Sequence, residues 1–590
     1  MAYTIVAWLV IQAADLAASN FLAPDWVMKM IITLLVLGLP ISLIFAWAFE
    51  LTPDGLRRES EVERGKSMAQ ATASKLDRAI IIVLLASVGY FAYDKFVSKP
   101  TQTAVTVETT TAQAESADDV EEFTNPSIAV LPFVNMSDDT SNEYFSEGLS
   151  EELLNLLVRI PELHVAARTS SFSYKGKDVR IAQIGEELNV AFVLAGSVRK
   201  AGKQVRITAQ LVKADDGFHL WSETYDRTLD DIFAVQDDIA AAVVAALRVN
   251  LLGAMPELRQ TDPEVYALYL QGNYLSNIRG EENMANAVVA FEEALAIDAE
   301  YAPAWLGISV AYSIQARRRY RPEKEGGEMS MVALERALAI DENMAAAWAS
   351  MAYLRRSYQW DWQGAKEAID KALQLEPNNA NVLGVAASIA NASGRLNEAG
   401  ELYERSAALD PLRLGNIRAR AINFAARGRF DRAIEAFDRL LALNPADEQG
   451  RLYLSLAYSM QGDPERALVE AEMIPAGVAR SFAMSHIHFA LGNSEKAQEY
   501  ADEFLQLYAD EYPVSMAAIF SSRGEMDLAF DWMEKAYQEH REGVIYVLSS
   551  ATLRNLTYDP RFPAFVEKIG LLEAWKAMPT EFGGPSRLPN

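Results

Sequence analysis

Cysteine is absent from the 590 residues of this chain, and histidine occurs five times. Without cysteine there are no disulfides, no thiolate catalysis and no cysteine-ligated metal sites, although the cellular compartment stays open. His486 and His488 form the one close pair of histidines, and two residues spaced in this way on a helix point to different faces. We therefore expect no metal site.

Sequence motifs of nucleotide binding and of covalent catalysis are also missing. The chain has neither a glycine-rich phosphate loop with its lysine nor a nucleophile elbow. Its formal net charge of −27 disfavours the phosphate backbone of nucleic acids as a ligand and favours solubility. Carboxylates are so numerous that no catalytic pair stands out among them. We therefore expect no enzyme activity, no cofactor and no nucleic-acid partner.

Long hydrophobic runs are confined to the N-terminal 96 residues. The first two runs carry one charge each, and a shorter third run that begins near residue 79 is extended by aromatic residues. Such lengths match a hydrocarbon core of about 30 Å, and aromatic residues favour the headgroup level. The sequence predicts three transmembrane helices, over about 2–21, 27–49 and 76–96.

Basic residues in the short loops predict the orientation of these helices. The loop 50–78 holds six lysines and arginines, whereas the other two loops together offer three, Lys29, Lys95 and Lys99. Because loops rich in lysine and arginine stay in the cytoplasm, everything after Phe96 is expected on the far side. In a bacterium this is the periplasm, and the inner-membrane lipid bilayer becomes an expected partner.

Residues 97–125 read as an acidic linker, and an α/β domain is predicted over residues 126–252. From residue 101 the linker holds six acidic residues and no lysine or arginine, a composition typical of a flexible tether. In the domain, Val205, Ile207 and Leu211 alternate with polar residues, as in a half-buried strand. The predicted order βαβαβββα indicates a mixed sheet with helices packed on it.

Several segments resemble the TolB-like amino-terminal domain. They include Tyr144-Phe-Ser-Glu-Gly-Leu149, Leu194-Ala-Gly-Ser-Val198 and Trp221-Ser-Glu-Thr-Tyr-Asp-Arg227. That domain recurs in bacterial membrane proteins with C-terminal tetratricopeptide (TPR) repeats. Some of those relatives carry a winged-helix DNA-binding domain or a nucleotide cyclase domain on the cytoplasmic side, and neither is present in this sequence. The resemblance implies a bacterial inner-membrane protein.

Three glycines, Gly394, Gly428 and Gly462, stand 34 residues apart, and each opens a similar phrase. This period in a helix-rich stretch predicts stacked helical hairpins, each too small to bury its apolar face alone. With helix-stopping prolines at the same interval, the pattern resembles TPR repeats. We predict an all-α TPR solenoid of about eight repeats over residues 257–575 and a disordered tail over 576–590.

The densest basic cluster of the chain is a candidate binding site for a partner. It comprises Arg317, Arg318, Arg319 and Arg321. Such a cluster could grip an anionic glycan, a lipid headgroup or an acidic peptide. The alternative is a solvated face that balances nearby glutamates, Glu323 among them.

Trp348 and Tyr353 are further candidates, because they cluster with Trp360 and Trp362 around one repeat boundary. A tryptophan that faces the groove could anchor a peptide. The alternative is that all four aromatic residues pack between repeats.

The sequence thus predicts a multidomain chain with N-terminal transmembrane helices, a small α/β domain and a TPR solenoid. Its expected function is that of a membrane-anchored, periplasm-facing scaffold that holds a protein or peptide partner in the TPR groove. The alternative is a transmembrane signalling protein that passes an external binding event to a cytoplasmic partner through loop 50–78.

Overall fold

The computed structural model describes residues 49–52, 55–58, 126–247, 260–278 and 280–585. The predicted membrane spans and the linker lie outside these ranges, apart from Phe49. Within the described ranges, no helix has both the length and the apolar character needed to cross a bilayer. The chain divides into two compact units, Met1–Asp118 and Asp119–Asn590.

The first unit contains a two-stranded antiparallel hairpin of β1 (Phe49–Thr52) and β2 (Gly55–Arg58). Phe49 lies opposite Arg58 in this hairpin. The predicted second transmembrane helix, about 27–49, otherwise lies outside the described residues, and it stays a prediction.

The second unit begins with a mixed sheet, in the strand order β5-β3-β6-β7-β8 and with β4 beside β6. The strands are β3 (Ser127–Val130), β4 (Val134–Asn135), β5 (His164–Val165), β6 (Phe192–Ala201), β7 (Gln204–Lys213) and β8 (His219–Thr228). β3 runs parallel to β5 and β6, while β6, β7 and β8 are antiparallel. The predicted mixed sheet is confirmed.

Four helices accompany this sheet. They are α1 (Glu143–Val158), α2 (Arg168–Ser171), α3 (Ile181–Leu188) and α4 (Ile232–Ala246). The leucines that recur on one face of α1 are fully buried, as Leu149 and Leu153 show, and they share a core with Ile207 and Leu211 of β7. The alternation in β7 and the helical spacing in α1 therefore build one hydrophobic core between sheet and helices.

Eight helical hairpins follow within the described residues 260–585. In chain order their helices are α5 (Pro263–Ile278) and α6 (Glu281–Ile297), α7 (Ala302–Arg317) and α8 (Glu323–Ile340), α9 (Ala345–Leu354) and α10 (Trp362–Leu375), α11 (Ala380–Ala392) and α12 (Leu396–Leu409), α13 (Leu414–Ala426) and α14 (Phe430–Leu443), α15 (Glu448–Gln461) and α16 (Pro464–Glu472), α17 (Val478–Ala490) and α18 (Ser494–Leu507), and α19 (Pro513–Ser522) and α20 (Met526–Gln538). The predicted TPR-type array is confirmed by this order.

The period of 34 residues has a direct structural cause. Gly394, Gly428 and Gly462 each end the first helix of a hairpin with φ of +72°, +71° and +98°. Glycine tolerates this left-handed conformation without the steric cost that a Cβ imposes. Small residues such as Ala399 and Ala433 sit at 0 % exposure where the two helices of a hairpin meet. Both signals are local, which is why the repeat is visible in the sequence.

After α20 the chain turns back in a return segment, which we define as residues 541–585. Its elements are the 3-10 helices Glu542–Tyr546, Ala551–Tyr558 and Thr580–Phe582, together with α21 (Phe562–Lys568) and α22 (Leu572–Ala577). The predicted disordered tail over 576–590 is wrong as far as Pro585. Met578 and Phe582 are buried, and the indole of Trp575 donates to the carbonyl of Gly583 at 3.0 Å.

The α/β domain and the helical array belong to the same unit and contact each other through buried polar groups. Ser170 Oγ donates to Asp410 Oδ1 at 2.6 Å, 240 residues further along the chain. On α5, Tyr269 Oη donates to Glu152 Oε1 of α1 at 3.2 Å. The domain is therefore tied both to the first hairpin and to the end of the fourth.

Candidate ligand-binding chamber of the helical array

The array contains a partly open cavity of about 700 Å³, which we call the chamber. Its walls come mainly from the first helices of hairpins four to eight and from residues 541–553 of the return segment. The apolar wall includes Ile422, Phe437, Leu452, Leu456, Met460 and Phe482. A volume of this size lies within the range of small-molecule sites, about 300–1,000 Å³.

Polar side chains also contribute to the lining. Ser388, Tyr403 and Tyr546 are joined by hydrogen bonds at one wall, and the charged side chains of Glu448, Glu511 and Arg541 line the cavity elsewhere. Apolar surface combined with placed polar groups is the usual composition of a binding site.

The return segment forms one wall of the chamber, and its apolar side chains are part of the hydrophobic core. Val544, Ile545 and Leu556 are each 0 % exposed. Farther along, Arg554 donates to the carbonyl oxygen of Ala426 at the end of α13. This wall is therefore an integral part of the fold.

A second set of contacts joins the third hairpin to His540 and to the return segment. The imidazole of His540 stacks on the indole of Trp360, with ring centroids 3.9 Å apart. Trp362 Nε1 donates to the carbonyl oxygen of Ile569 at 2.7 Å. The array is thus closed between its third hairpin and its C-terminal end, and these contacts account for two of the four clustered aromatic residues.

A buried arginine lies behind the polar wall of the chamber. Residues Arg355–Gln359 continue α9 as a π-helix, a geometry that is frequent at functional sites. Arg356 is 1 % exposed, and its guanidinium donates to Ser388 Oγ, to Ser357 Oγ at 3.0 Å and to Tyr546 Oη at 3.5 Å. Among the described residues, the one carboxylate within 4 Å of it is that of Glu542, at 3.8 Å.

Several tyrosines surround this arginine, and burial raises their pKa values. Tyr353 lies with its ring 5.3 Å from the guanidinium, and burial followed by the charge of Glu542 raises the pKa of Tyr353 to about 12. The pKa values of Tyr403 and Tyr546 are also raised, chiefly by burial. These hydroxyls therefore keep their hydrogens near neutral pH and are available as donors.

The predicted basic cluster lies at the end of α7 and beyond it. Arg317, Arg318 and Arg319 are exposed. Arg319 pairs with Glu511, and its guanidinium lies 6.0 Å from the ring of Tyr512. Because both of these partners line the chamber, the cluster lies beside its mouth.

The fourth arginine of the cluster supports the alternative interpretation of a self-balanced face. Arg321 pairs with Glu325 one helical turn away and donates to Gln315 Oε1 at 3.2 Å. The guanidinium of Arg321 therefore binds side chains of its own chain.

The predicted aromatic candidates take packing positions. Trp348 is half-buried, and its indole donates to the carbonyl oxygen of Glu342 at 2.7 Å. Tyr353 packs against the core of the third hairpin and against Arg356. A role in partner binding stays a prediction for both residues.

The sequence analysis missed Ser388, Arg356, Tyr403 and Tyr546. Arg356 gave no signal, because it follows Arg355 in a polar stretch after the apolar helix α9. The remaining residues come from three separate parts of the chain.

Histidine does not form a metal centre in the described part of the chain, where no group of three or more potential ligands occurs. His486 is buried on α17, and its Nδ1 lies 3.0 Å from the carbonyl oxygen of Phe482. Burial lowers the pKa of His486 to about 4.

Comparisons with known proteins concern the α/β domain and the array separately. A family model described as the HilA/YgeH-like transcriptional regulator, second domain, matches residues 124–242. A protein of Rhizobium meliloti (strain 1021) named "Putative adenylate cyclase 3" is 44 % identical over 182 residues. The match covers 29 % of this chain and 31 % of that protein, so the chain spans about a third of the length of this curated relative. The resemblance to the TolB-like domain stays a prediction.

Solved structures with some likeness to the chain include TPR proteins. The structure of pilF from Pseudomonas aeruginosa is 19 % identical, with 34 % of this chain and 92 % of that chain covered and a TM-score of 0.29. A TPR protein from Parabacteroides merdae is 13 % identical, with 46 % and 100 % covered and a TM-score of 0.33. The assignment of the array to the TPR type follows from its eight hairpins and their period.

Proposed function

We propose that this chain is a scaffold whose helical array holds a protein partner at the mouth of the chamber. The observation that carries the proposal is the position of the basic cluster, which meets the loop before the eighth hairpin where Arg319 pairs with Glu511. Exposed arginines beside an aromatic ring form a surface suited to an acidic polypeptide segment. The stacked hairpins supply the rigid frame that such a surface needs.

We further propose that the scaffold is anchored in the bacterial inner membrane and faces the periplasm. The three hydrophobic runs and the charge difference between their loops support this arrangement. Alkaline phosphatase fused after Phe96 should be active in cells, whereas green fluorescent protein at the same position should be dark. The reverse result would invert the topology.

The partner surface is tested by charge reversal at its exposed arginines. Substitution of Arg317 and Arg318 by glutamate leaves the pair between Arg319 and Glu511 in place, so the fold should be retained. Recovery of crosslinked partner from intact cells should fall by roughly tenfold, because charge at an interface rim governs capture. A photoreactive residue at an unchanged rim position, Tyr512, would identify the partner.

A matched control is available on the fifth hairpin. Arg432 and Arg439 are exposed on α14, and their reversal changes the net charge by the same amount. The control variant should recover the partner as the unaltered chain does. Equal recovery from both double variants would contradict the proposed surface.

The comparisons favour a second candidate function, transmembrane signalling. The α/β domain matches a domain of transcriptional regulators, and the R. meliloti relative carries the name of a cyclase. Output would pass through loop 50–78 to a cytoplasmic protein. Affinity capture with this loop distinguishes the two functions: a retained kinase, cyclase or regulator supports signalling, and an empty column supports the scaffold.

A further inference from the structure

The chamber contains an imbalance of charge at its polar wall. Arg356 is buried, its Nε has no hydrogen-bond partner among the described residues, and Glu542 approaches no closer than 3.8 Å. Glu542 is itself partly exposed. A buried cation is costly unless a nearby anion and a full set of hydrogen bonds compensate for lost hydration. The fold therefore holds a positive charge that it neutralises only in part.

Three neighbouring hydroxyl groups lie between this charge and the cavity, and two of them contact Arg356 directly. Ser388 Oγ and Tyr546 Oη accept hydrogen bonds from Arg356. The hydroxyl of Ser388 also shares hydrogen bonds with those of Tyr403 and Tyr546. Each hydroxyl has one hydrogen, and some of these hydrogens lie between the hydroxyl oxygens, so a ligand carboxylate would take over hydrogens that the three groups otherwise share with one another. All three hydroxyls line the chamber.

The remaining walls restrict what can occupy this place. The apolar side chains of the chamber, such as Ile422 and Leu452, favour a ligand with a hydrocarbon or aromatic body. The carboxylates of Glu448 and Glu511 line the cavity and outnumber the guanidinium of Arg541, which disfavours an anion with several charges. The buried return segment forms one wall, which favours a compact ligand over an extended chain.

We propose that the chamber is a binding site for a small organic acid, with one carboxylate at the hydroxyls of Ser388, Tyr403 and Tyr546 and with an apolar body against the opposite wall. Arg356 acts through these hydroxyls: it polarises them and compensates the charge of the carboxylate. This site is separate from the surface at Arg317 and Arg318, and a bound acid would fill space that the protein otherwise leaves open.

The test uses the full chain in detergent and three acids of different shape with their neutral amides. Octanoate, 3-phenylpropionate and cyclohexanecarboxylate are compared with octanamide, 3-phenylpropionamide and cyclohexanecarboxamide by isothermal titration calorimetry at pH 7. We expect at least one acid to bind roughly tenfold or more tightly than its amide, because hydrogen bonds to a charged group exceed those to a neutral one. Equal affinity within every pair, or no binding by any acid at millimolar concentration, would overturn the proposal.

Two conservative variants test whether the preference for acid over amide comes from this wall. Tyr546→Phe removes one hydroxyl of the cluster, whereas Tyr453→Phe removes a chamber hydroxyl for which the described residues show no hydrogen bond to Arg356 or Ser388. The preference for acid over amide should fall about tenfold in Y546F and stay unchanged in Y453F. An equal loss in both variants would refute the placement, and Tyr403→Phe repeats the test if Y546F fails to fold.

The outcome is independent of the scaffold proposal. A crosslinked partner together with equal affinity for acids and amides would remove the organic-acid site and keep the scaffold. Binding of acids without any partner at Tyr512 would remove the scaffold and keep the site.

Discussion

Replacement of Glu152 by glutamine tests the polar contact between the α/β domain and the first hairpin. Glu152 is 7 % exposed on α1, and its Oε1 accepts from Tyr269 Oη at 3.2 Å and from Asn155 Nδ2 at 3.3 Å. Burial, followed by repulsion from Glu151, raises the pKa of Glu152 from 4.5 to about 7, although Arg159 and both hydrogen bonds act in the opposite direction. The carboxyl group is therefore close to half-protonated in the folded protein at neutral pH.

The sign and the size of the pH effect follow from this pKa. A carboxyl group whose pKa is raised on folding binds more protons in the folded state. Its favourable contribution is complete below about pH 4.5 and is lost as pH rises to about 7. The difference corresponds to about 3 kcal/mol. Glutamine can accept the same hydrogen bond from Tyr269 and stays neutral, so Glu152→Gln should match the unaltered chain at pH 4.5 and be more stable by up to about 3 kcal/mol at pH 8.

The assay is urea unfolding followed across pH 4.5–8. Glu186→Gln on the exposed side of α3 serves as the control, because it removes a carboxylate of equal charge from an exposed position. The free energy of unfolding of the control should follow the pH dependence of the unaltered chain. If E152Q also runs parallel to the unaltered chain at every pH, Glu152 is ionised throughout and the reasoning from burial is wrong.

Three further predictions concern the array. Burial lowers the pKa of His486 to about 4 against 6.5 when exposed, so the free energy of unfolding should fall as pH drops from about 6.5 towards 4. His486→Gln should remove about 2 kcal/mol of this loss in urea unfolding at pH 5. Gly428 has φ +71°, and an added Cβ would meet no atom within 4 Å, so Gly428→Ala should lower the free energy of unfolding by about 1 kcal/mol through backbone strain alone. Gly415→Ala within α13 should leave thermal stability unchanged or raise it. An equal effect of both substitutions would contradict the conformational argument. Leu556 is 0 % exposed in the return segment, and Leu556→Ala should cost about 2–5 kcal/mol; unchanged stability would mean that the segment is detached in solution.

The repeat array could be predicted because its signals are local and recur. In the regular middle of the array the first helices end at Gly394, Gly428 and Gly462 in the left-handed conformation, and the hairpins close on alanines such as Ala433 that leave room for the neighbouring helix. Such requirements act within one hairpin and are repeated at a constant interval. The alternation in β7 and the leucines of α1 were visible for the same reason.

The chamber could not be predicted, since its residues meet only in the folded chain. Arg356 follows Arg355, and two adjacent arginines read as a solvated pair; the π-helix turns Arg356 into the interior. The return segment buries Val544 and Ile545 without any periodic pattern. Long-range contacts of this kind, such as Arg356 to Tyr546 across 190 residues, leave no signature in one sequence.

The contacts between Trp360 and His540 and between Trp362 and Ile569 have a consequence for how this array can change. An open solenoid tolerates gain or loss of a unit, because each unit touches only its neighbours. Here the distance between the third hairpin and the C-terminal end must stay constant. Insertion or deletion of one 34-residue unit between them would separate these surfaces, so the copy number of the intervening repeats is fixed by geometry.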